Sequence, residues 1–487
     1  MPLNAAEVLV RFGEPGRMPL RVRLSGVLRD AIRSGQLEPG TTLPSTRILA
    51  QDLGVSRGVV VDAYTQLAAE GFVRARPGAA TIVAFVPAGG LPAEWHSERP
   101  DPAPGPELDL RPGWPDLSAF PRRAWASAVR DTLMDLPAAE LGYTEPWGTW
   151  ALRRALASYL ARVRTAMTAP DGVVVVNGVT QGLTLLCGLM LRAGERRLAV
   201  ENPSNAVQRL LLQRLGMDVV DVPVDGNGLR VEDLVKTGAN AVLCTPAHQY
   251  PTGVVLSPER REQLLHWARD SGGLVIEDDY DAEFRYDRSP SSCLQGMNPQ
   301  HVALLGSVSK TLAPALRLGW VVTPPRLLPT LRAAKRDNDF GSNAIDQHVL
   351  ARFLETGAYD RHLRSLRKRY RLRRDAFIQA LSRRLPDWQV MGSAGGLHLT
   401  ISLPADVPEG RLVAAASGLG LWVVGLNSMS AGTSPKPGIV LSYARTTPDM
   451  LDQAVARLAA ALDGLDAVTP DMELAAASTA IAWDDPR

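Results

Sequence analysis

The sequence contains little cysteine and little lysine, and each scarcity excludes a type of chemistry. Its three cysteines, Cys187, Cys244 and Cys293, lie far apart and form no C-x-x-C pair, so we expect neither a disulfide framework nor a metal site. Arginine supplies most of the 53 basic residues. The candidates for chemistry that needs a primary amine are Lys236, Lys310, Lys335, Lys368 and Lys436.

Long apolar runs and a strong net charge are also missing. No stretch of about 18 apolar residues is present to span a membrane, and the N-terminus lacks the basic start and apolar run of a signal peptide. We therefore expect a soluble, cytoplasmic protein without a membrane partner. The formal net charge is only +2, so the whole chain lacks the basic field of a nucleic-acid coat protein.

Composition divides the chain near residue 100. Residues 87–106 hold six prolines and three glycines, which is typical of an extended linker. Residues 1–86 contain ten arginines and seven acidic residues, hence a net charge of +3 that exceeds the total for the whole chain. We predict a small basic domain over 1–86, a linker over 87–106, a large domain over 107–465 and a disordered tail over 466–487.

In the large domain, β-branched apolar runs alternate with amphipathic segments. This alternation predicts an α/β domain with a mostly parallel seven-stranded sheet wrapped by helices, whose ligands bind at the carboxyl ends of strands. After about residue 325, an Arg-rich helical stretch and three short strands predict a smaller C-terminal α+β lobe. The predicted strands of the sheet are 172–177, 197–202, 218–224, 241–246, 273–279, 302–307 and 318–324.

The small domain has the pattern of a winged helix-turn-helix, an α+β fold. Ser45 can cap one helix that Gly54 ends, and Ser56 can cap a second helix with Arg57 at its exposed first turn. Recognition helices meet DNA at that turn. A Pro-Gly turn in the segment that follows predicts a hairpin wing. The residues predicted to face the interior are Ile48, Leu49, Leu53, Val59, Val60, Ala63 and Leu67.

A protein-interaction or dimerisation module is the alternative for this domain, but the density of matching residues favours DNA. Residues 19–73 resemble the GntR family of bacterial regulators through PLRVRLSGVLRDAIRSGQLEPGTTLPSTRILAQDLGVSRGVVVDAYTQLAAEGFV. The resemblance implies binding to double-stranded promoter DNA. The wing departs from the usual G-S-G-T, since it reads Gly-Ala-Ala-Thr over 78–81. The positions implied to face DNA are Ser45, Arg47, Ser56, Arg57, Val59, Tyr64, Arg76 and Gly78.

Among the lysines, Lys310 is the candidate for a Schiff base because it alone lies just past a predicted strand. Ser307 and Ser309 precede it, and Arg317 follows seven residues later. Hydroxyls and a guanidinium can hold a phosphate by charge-assisted hydrogen bonds while the amine reaches an aldehyde. A lone lysine is otherwise a solvated surface residue, so the neighbouring segments decide.

Two other strand ends supply complementary groups. Asp278 ends a predicted strand and can pair with a protonated pyridine nitrogen, and Tyr280 can donate to a ring hydroxyl. A solvated acidic loop or a Mg²⁺ site are the alternatives, but no phosphate-chain motif supports the metal. Gly178, Val179 and Thr180 follow another strand and begin a helix, where backbone N–H groups favour a phosphate.

Together these segments resemble the fold-type I aminotransferase domain, and nearly all of 19–465 resembles the MocR subfamily of GntR regulators. Further matching runs are DLRPGWPDLSAFP, LGYTEPWGTWALRRALASYL and TPAHQYPTGVVLS. The resemblance implies pyridoxal 5'-phosphate (PLP) bound as an aldimine to Lys310. It also implies Asp278 at the pyridine nitrogen, Tyr280 at the ring hydroxyl, Arg317 at the phosphate, and a homodimer.

The chain departs from the subfamily at ligand-binding positions. Asn205 replaces a tyrosine that stacks on the cofactor, a ring contact worth about 0.5–1.5 kcal/mol, and Val179 and Thr180 replace the common Ser and Gln. These departures bear on cofactor affinity. Val440 stands where aminotransferases hold the substrate carboxylate with arginine, and Arg445 lies five residues on. Efficient transamination is therefore not expected.

Three functions fit the sequence, in this order. The first is a PLP-dependent transcriptional regulator that senses PLP, or its adduct with an amine or amino acid effector, and modulates promoter binding. The second is a working aminotransferase that carries a DNA-binding domain. The third is a regulator that has lost PLP and uses the pocket for another effector, a reading that Asn205 favours.

Overall fold

The computed structural model describes residues 18–74, 80–84, 106–286, 292–432, 436–465 and 472. The chain forms two compact units, Met1–Ala103 and Pro104–Arg487. The predicted linker 87–106 lies outside the described residues except for Pro106, and the predicted tail 466–487 lies outside them except for Met472. Within the described ranges, no helix is long and apolar enough to cross a membrane.

The described part of the small unit contains the two predicted helices, a further helix before them, and the two strands of the predicted hairpin. Ser45 caps the second helix by accepting a hydrogen bond from Ile48 N, and Gly54 ends it with φ at 63°. Ser56 occupies the N-cap of the third helix, but its side chain makes no capping bond. The elements are α1 (Leu20–Arg33), α2 (Thr46–Leu53), α3 (Arg57–Ala69), β1 (Val73–Arg74) and β2 (Ile82–Val83), the two strands antiparallel.

The core of the small unit corrects one predicted position. Leu49, Val60 and Leu67 are buried in it, whereas Ile48 is 55% exposed. Helix α2 has only about two turns, and Leu49 and Leu53 define its inward face. Ile48 precedes that face by one residue, about 100° around the helix, and therefore points outward.

The large unit is built on an eight-stranded sheet. Its order is β4-β11-β10-β9-β8-β5-β6-β7, with β11 and β7 antiparallel to their neighbours. The seven predicted strands and the mostly parallel sheet are confirmed, and the two-residue β7 is an addition. The strands are β3 (Leu108–Asp109), β4 (Val173–Val176), β5 (Arg197–Asn202), β6 (Asp218–Asp225), β7 (Gly228–Leu229), β8 (Ala241–Cys244), β9 (Leu274–Asp279), β10 (Val302–Ser307), β11 (Gly319–Val322), β12 (Gln389–Met391), β13 (His398–Ser402), β14 (Leu421–Trp422), β15 (Val424–Gly425) and β16 (Gly438–Ser442).

Helices cover both faces of this sheet. Val173 and Val175 of β4 pack in one apolar cluster, and Val174 and Val176 pack in another, because successive strand residues point to opposite faces. The helices are α4 (Arg122–Asp135), α5 (Trp150–Arg164), α6 (Val179–Arg192), α7 (Ala206–Arg214), α8 (Val231–Thr237), α9 (Pro258–Ser271), α10 (Leu294–Met297), α11 (Leu328–Asp339), α12 (Ala344–Glu355), α13 (Ala358–Arg384), α14 (Glu409–Gly418) and α15 (Pro448–Asp463).

The predicted C-terminal α+β lobe is also present. Strands β12, β13, β16 and β15 form an antiparallel sheet in that order, and the long helix α13 packs against α15. One of the three short strands predicted for this lobe, LWVVGL over 421–426, divides in two: β14 pairs with β3, and β15 pairs with β16. The segment that follows the linker is thereby tied to this lobe.

Candidate functional site

A cavity of about 550 Å³ lies at the carboxyl ends of the central strands. Most of the residues predicted to bind the cofactor line it, although they come from five separate segments of the chain. These residues are Val179, Thr180, Asn205, Asp278, Tyr280, Ser307, Ser309, Lys310 and Arg317. The tenth predicted residue, Gly178, lies directly behind Arg317.

Lys310 follows β10 and reaches across the cavity. Its Nζ donates to the carbonyl oxygen of Gly113 at 2.5 Å, so the lysine is held by a segment almost two hundred residues away. Burial lowers the pKa of Lys310 below its usual value. A lower pKa increases the neutral fraction of the amine, which is the form that attacks a carbonyl carbon.

Asp278, at the end of β9, has one satisfied and one unsatisfied oxygen. Oδ2 accepts a hydrogen bond from Gln208 Nε2 at 2.9 Å, while Oδ1 is buried without a partner among the described residues. Burial raises the pKa of Asp278 to about 6. A buried acceptor without a partner is costly, so this oxygen fits a ligand that brings a donor, such as a protonated pyridine nitrogen.

The opposite end of the cavity fits an anion. Arg317 donates to the carbonyl oxygen of Asn177 at 2.5 Å, and Gly178 is the N-cap of α6 without a side-chain cap. The N–H groups of the first turn are thus directed at the cavity end where a phosphate would lie. Gly178 has φ at 81°, and a Cβ there would lie 2.8 Å from the Arg317 guanidinium.

Asn205 has a local role that the sequence did not indicate. Its Oδ1 accepts hydrogen bonds from Val207 N at 3.1 Å and Gln208 N at 3.2 Å, so it caps α7. That helix carries Gln208, the partner of Asp278. Gln208 is not among the residues predicted from the sequence. The signal for it is Asn205, because an Asn at this position can begin a helix whose first turn carries Gln208.

The residue at the expected substrate-carboxylate position, Val440, is buried behind the apolar residues Val424 and Met429 that line the cavity. Tyr250 packs against this apolar cluster. Arg445 does not replace the missing arginine, because it pairs with Asp109 Oδ2 at 3.0 Å and lies outside the cavity lining.

One further titratable side chain of the cavity, His398, is neutral. His398 also lines the cavity, and burial lowers its pKa to about 4, so it is uncharged near neutral pH. In the part of the chain that the structure describes, no group of three or more His, Cys, Asp or Glu side chains is arranged to hold a metal.

The predicted DNA-facing residues divide into exposed and buried sets. Ser45, Arg47, Ser56 and Arg57 are exposed, and Val59 is half-buried. Arg57 Nε lies 3.3 Å from Thr46 Oγ1, which links the first turns of α2 and α3. The outward-facing residues therefore concentrate at those two turns. Arg76 and Gly78 lie outside the described residues.

Tyr64 is not on the surface where the sequence predicted it. Its side chain is only 4% exposed, and its hydroxyl donates to the carbonyl oxygen of Pro44 at 2.9 Å. Helix α3 turns Tyr64 to the same inward face as Val60 and Leu67, three or four residues away. Its side chain supports the start of α2 from within the core, and the prediction that it faces DNA is wrong.

Comparisons with known proteins give a matching family for each of the two units. The family model for aminotransferase class I and II matches residues 115–458, and that for bacterial regulatory proteins of the gntR family matches residues 20–83. Among curated proteins, the chain is 35% identical to the HTH-type pyridoxine biosynthesis transcriptional regulator PdxR of Corynebacterium glutamicum, over 92% of this chain and 97% of that one. It is 30% identical to the probable rhizopine catabolism regulatory protein MocR of Rhizobium meliloti, over 92% and 95%.

Solved structures resemble the large unit. Kynurenine aminotransferase of Pyrococcus horikoshii superposes with a TM-score of 0.67 at 24% identity, over 73% of this chain and 90% of that one. The α-aminoadipate aminotransferase LysN of Thermus thermophilus, solved with N-(5'-phosphopyridoxyl)-L-leucine, also gives 0.67 at 25% identity, over 74% and 93%.

Proposed function

The chain belongs to the MocR-type regulators of the gntR family, which join a helix-turn-helix domain to an aminotransferase class I and II domain, and on this premise we propose how its two units work. An aminotransferase domain of this class implies PLP as the cofactor. We propose that the large unit binds PLP covalently through Lys310 and senses PLP, or its adduct with an amine or amino acid, and thereby modulates promoter binding by the small unit.

One observation carries this proposal: the four groups that PLP needs converge on one cavity. Lys310 offers an amine for the aldehyde, and Asp278 offers an unpartnered oxygen for the pyridine nitrogen. Tyr280 and Arg317 line the same cavity, Arg317 beside Gly178, and we assign Tyr280 to the ring hydroxyl and Arg317 to the phosphate. The bound cofactor supplies an electron-withdrawing ring; the four residues bind and orient it.

Sensing is favoured over catalysis by the substrate end of the cavity. An aminotransferase holds the substrate carboxylate with arginine so that the Cα bond is oriented for proton removal. Here Val440 lies in an apolar cluster with Val424 and Met429, which line the cavity, and Arg445 is paired with Asp109. A ligand amine can reach the Lys310 position, but no guanidinium at either position fixes a carboxylate for turnover.

Promoter recognition is proposed for the first turns of α2 and α3. Ser45, Arg47, Ser56 and Arg57 are exposed there, and a recognition helix reads base edges and phosphates with such residues. We assign direct base or phosphate contact to Arg57, because it lies at the N-terminus of α3.

A homodimer is proposed from exposed apolar side chains of the large unit. Tyr143 and Phe340 are largely in solvent, and a large contiguous patch of exposed apolar side chains marks a protein–protein interface. The exposed apolar residues that we assign to this interface are Met134, Leu141, Tyr143, Trp150 and Phe340. A dimer would present two recognition helices to two half-sites.

The visible spectrum of the purified full-length protein tests the proposal. Addition of PLP to the cofactor-free protein is expected to give an absorption band of lysine-bound PLP that Lys310→Ala lacks. Candidate amines and amino acids are then added, with keto-acid product and promoter binding measured in parallel. A changed spectrum with changed promoter affinity and without product turnover supports sensing, turnover supports the enzyme, and no band refutes PLP binding.

A further inference from the structure

Behind the cavity, three polar side chains form a buried group that we call the Tyr280 cluster: Tyr280, His248 and Asp281. His248 Nδ1 lies 2.9 Å from the Tyr280 hydroxyl and 2.9 Å from Asp281 Oδ2. The His248 and Asp281 side chains are only 4% and 1% exposed. Tyr280 lines the cavity, and the other two residues do not, so their hydrogen-bonded route to a ligand runs through the Tyr280 hydroxyl.

The surrounding backbone fixes the imidazole ring. Gly396 has φ at 75°, and a Cβ at this position would collide with the His248 ring, so the chain can approach the ring closely only with glycine there. The ring of His398 lies 5.5 Å from that of His248 on another side. His248 therefore cannot turn away from Tyr280 unless backbone or a buried neighbour moves.

The contacts restrict where the hydrogens lie. A single Nδ1 cannot donate to Asp281 and accept from Tyr280 at the same time. A bare Nδ1 would place its lone pair against the Asp281 carboxylate, so the carboxylate favours the tautomer that carries hydrogen on Nδ1. This one hydrogen is then shared between Asp281 Oδ2 and the Tyr280 oxygen, both 2.9 Å from Nδ1, and the Tyr280 O–H is left to donate to Asp281 or to a ligand oxygen in the cavity.

Other charged and titratable groups face the same cluster. Asp278 and Lys310 share the cavity wall with Tyr280, and Tyr250 packs edge-on against Tyr280 at 5.7 Å. Burial and the Asp281 carboxylate raise the pKa of Tyr280 well above its usual value, and burial keeps His398 neutral. Tyr280 therefore remains a protonated donor near neutral pH.

We propose that His248 and Asp281 are positioning residues that act through Tyr280. They hold its hydroxyl at the ring-oxygen side of the cavity and direct its proton toward the ligand, which determines how strongly a PLP ring oxygen is hydrogen-bonded. This proposal rests on PLP binding as proposed above. It gives the buried His248–Asp281 pair a role in the electronic state of the cofactor rather than in packing alone.

Two substitutions of similar size separate these roles. In His248→Asn the side-chain amide reaches the position of Nδ1, whereas in His248→Gln it reaches that of Nε2. Full-length protein is titrated with PLP, and the visible band is followed against pH. His248→Gln is expected to weaken PLP binding about five-fold, the effect of one lost hydrogen bond, and to shift the pH midpoint of the band. His248→Asn is expected to retain both properties near wild type.

A double-substitution cycle gives the decisive comparison. Because His248 acts through the Tyr280 hydroxyl, His248→Gln should have no further effect on affinity or midpoint in the Tyr280→Phe background. Equal effects in both backgrounds, or a His248→Gln protein that matches wild type, would overturn the proposal. Absence of a PLP band in wild type would instead refute the proposed function, and this inference with it.

Folding is checked separately. Promoter binding without PLP and the thermal unfolding temperature identify a variant that has lost its structure. Asp281→Asn then provides a second route, because it keeps the volume of the side chain but removes the charge that fixes the His248 tautomer. It should shift the pH midpoint in the same direction as His248→Gln and, like it, lose this effect in the Tyr280→Phe background; a persistent shift would contradict the proposal.

Discussion

Gly178 is the position where one added methyl group should disturb both the backbone and the phosphate end of the cavity. Its φ of 81° and ψ of 168° belong to a region that is almost restricted to glycine, where another residue costs about 1–3 kcal/mol. The added Cβ would also lie 2.8 Å from the Arg317 guanidinium, which must then move. We expect Gly178→Ala to destabilise the cofactor-free protein by about 1–3 kcal/mol and to raise the Kd for PLP about ten-fold or more.

Gly188 provides a matched control in the same helix, α6. Nothing lies within 4 Å of a Cβ built there, and alanine is favoured over glycine in a helix interior by about 0.8–1.0 kcal/mol. Gly188→Ala should therefore stabilise the protein and leave PLP affinity unchanged. Thermal unfolding without PLP and a PLP titration by absorbance measure both effects. If Gly178→Ala shifted stability in the same direction as Gly188→Ala and bound PLP normally, the assigned geometry of the phosphate end would be incorrect.

Three further predictions concern both units. Arg57→Ala should abolish specific promoter binding in a mobility-shift assay while leaving the PLP spectrum intact, and specific binding that survives would contradict the assignment of the recognition helix. Tyr64→Phe should lower the stability of the small unit by about 1 kcal/mol, because it removes the bond to the Pro44 carbonyl oxygen; hydrogen exchange of α2 and α3 measures this loss. Burial raises the pKa of Asp278 from 3.8 to about 6, so its contribution to the stability of the cofactor-free protein is present below pH 4 and lost as the pH rises to about 6. Wild type should lose about 2–3 kcal/mol relative to Asp278→Asn over that interval, and parallel denaturation curves against pH would refute the burial argument.

The sequence predicted the fold, and most of the residues that it predicted for the cofactor line the cavity, because both depend on local patterns. Alternating apolar runs predicted the seven main strands, and polar residues at strand ends predicted Asp278, Tyr280 and Lys310. These signals work because parallel strands bring their carboxyl ends to one edge of a sheet.

The errors arose where a local pattern allows two outcomes. A two-turn helix leaves the inward face ambiguous by one residue, so Ile48 was assigned to the core. Tyr64 was assigned to DNA because its family position does not show that the hydroxyl is satisfied internally by Pro44. Gln208 and His248 were missed because their partners lie 70 and 33 positions away, and no periodicity connects residues so distant in sequence.

The hydrogen bond between Lys310 and Gly113 joins residues 197 positions apart. This separation determines the order in which parts of the protein can fold during synthesis. Domains fold largely as units from the N-terminus while the chain is being made, so the helix-turn-helix is complete long before the amine of Lys310 exists. The cavity can close only after the ribosome has added β10 and the segment behind it. A message cut short between these points would encode the helix-turn-helix unit without Lys310, and under the proposed function such a fragment could not respond to PLP.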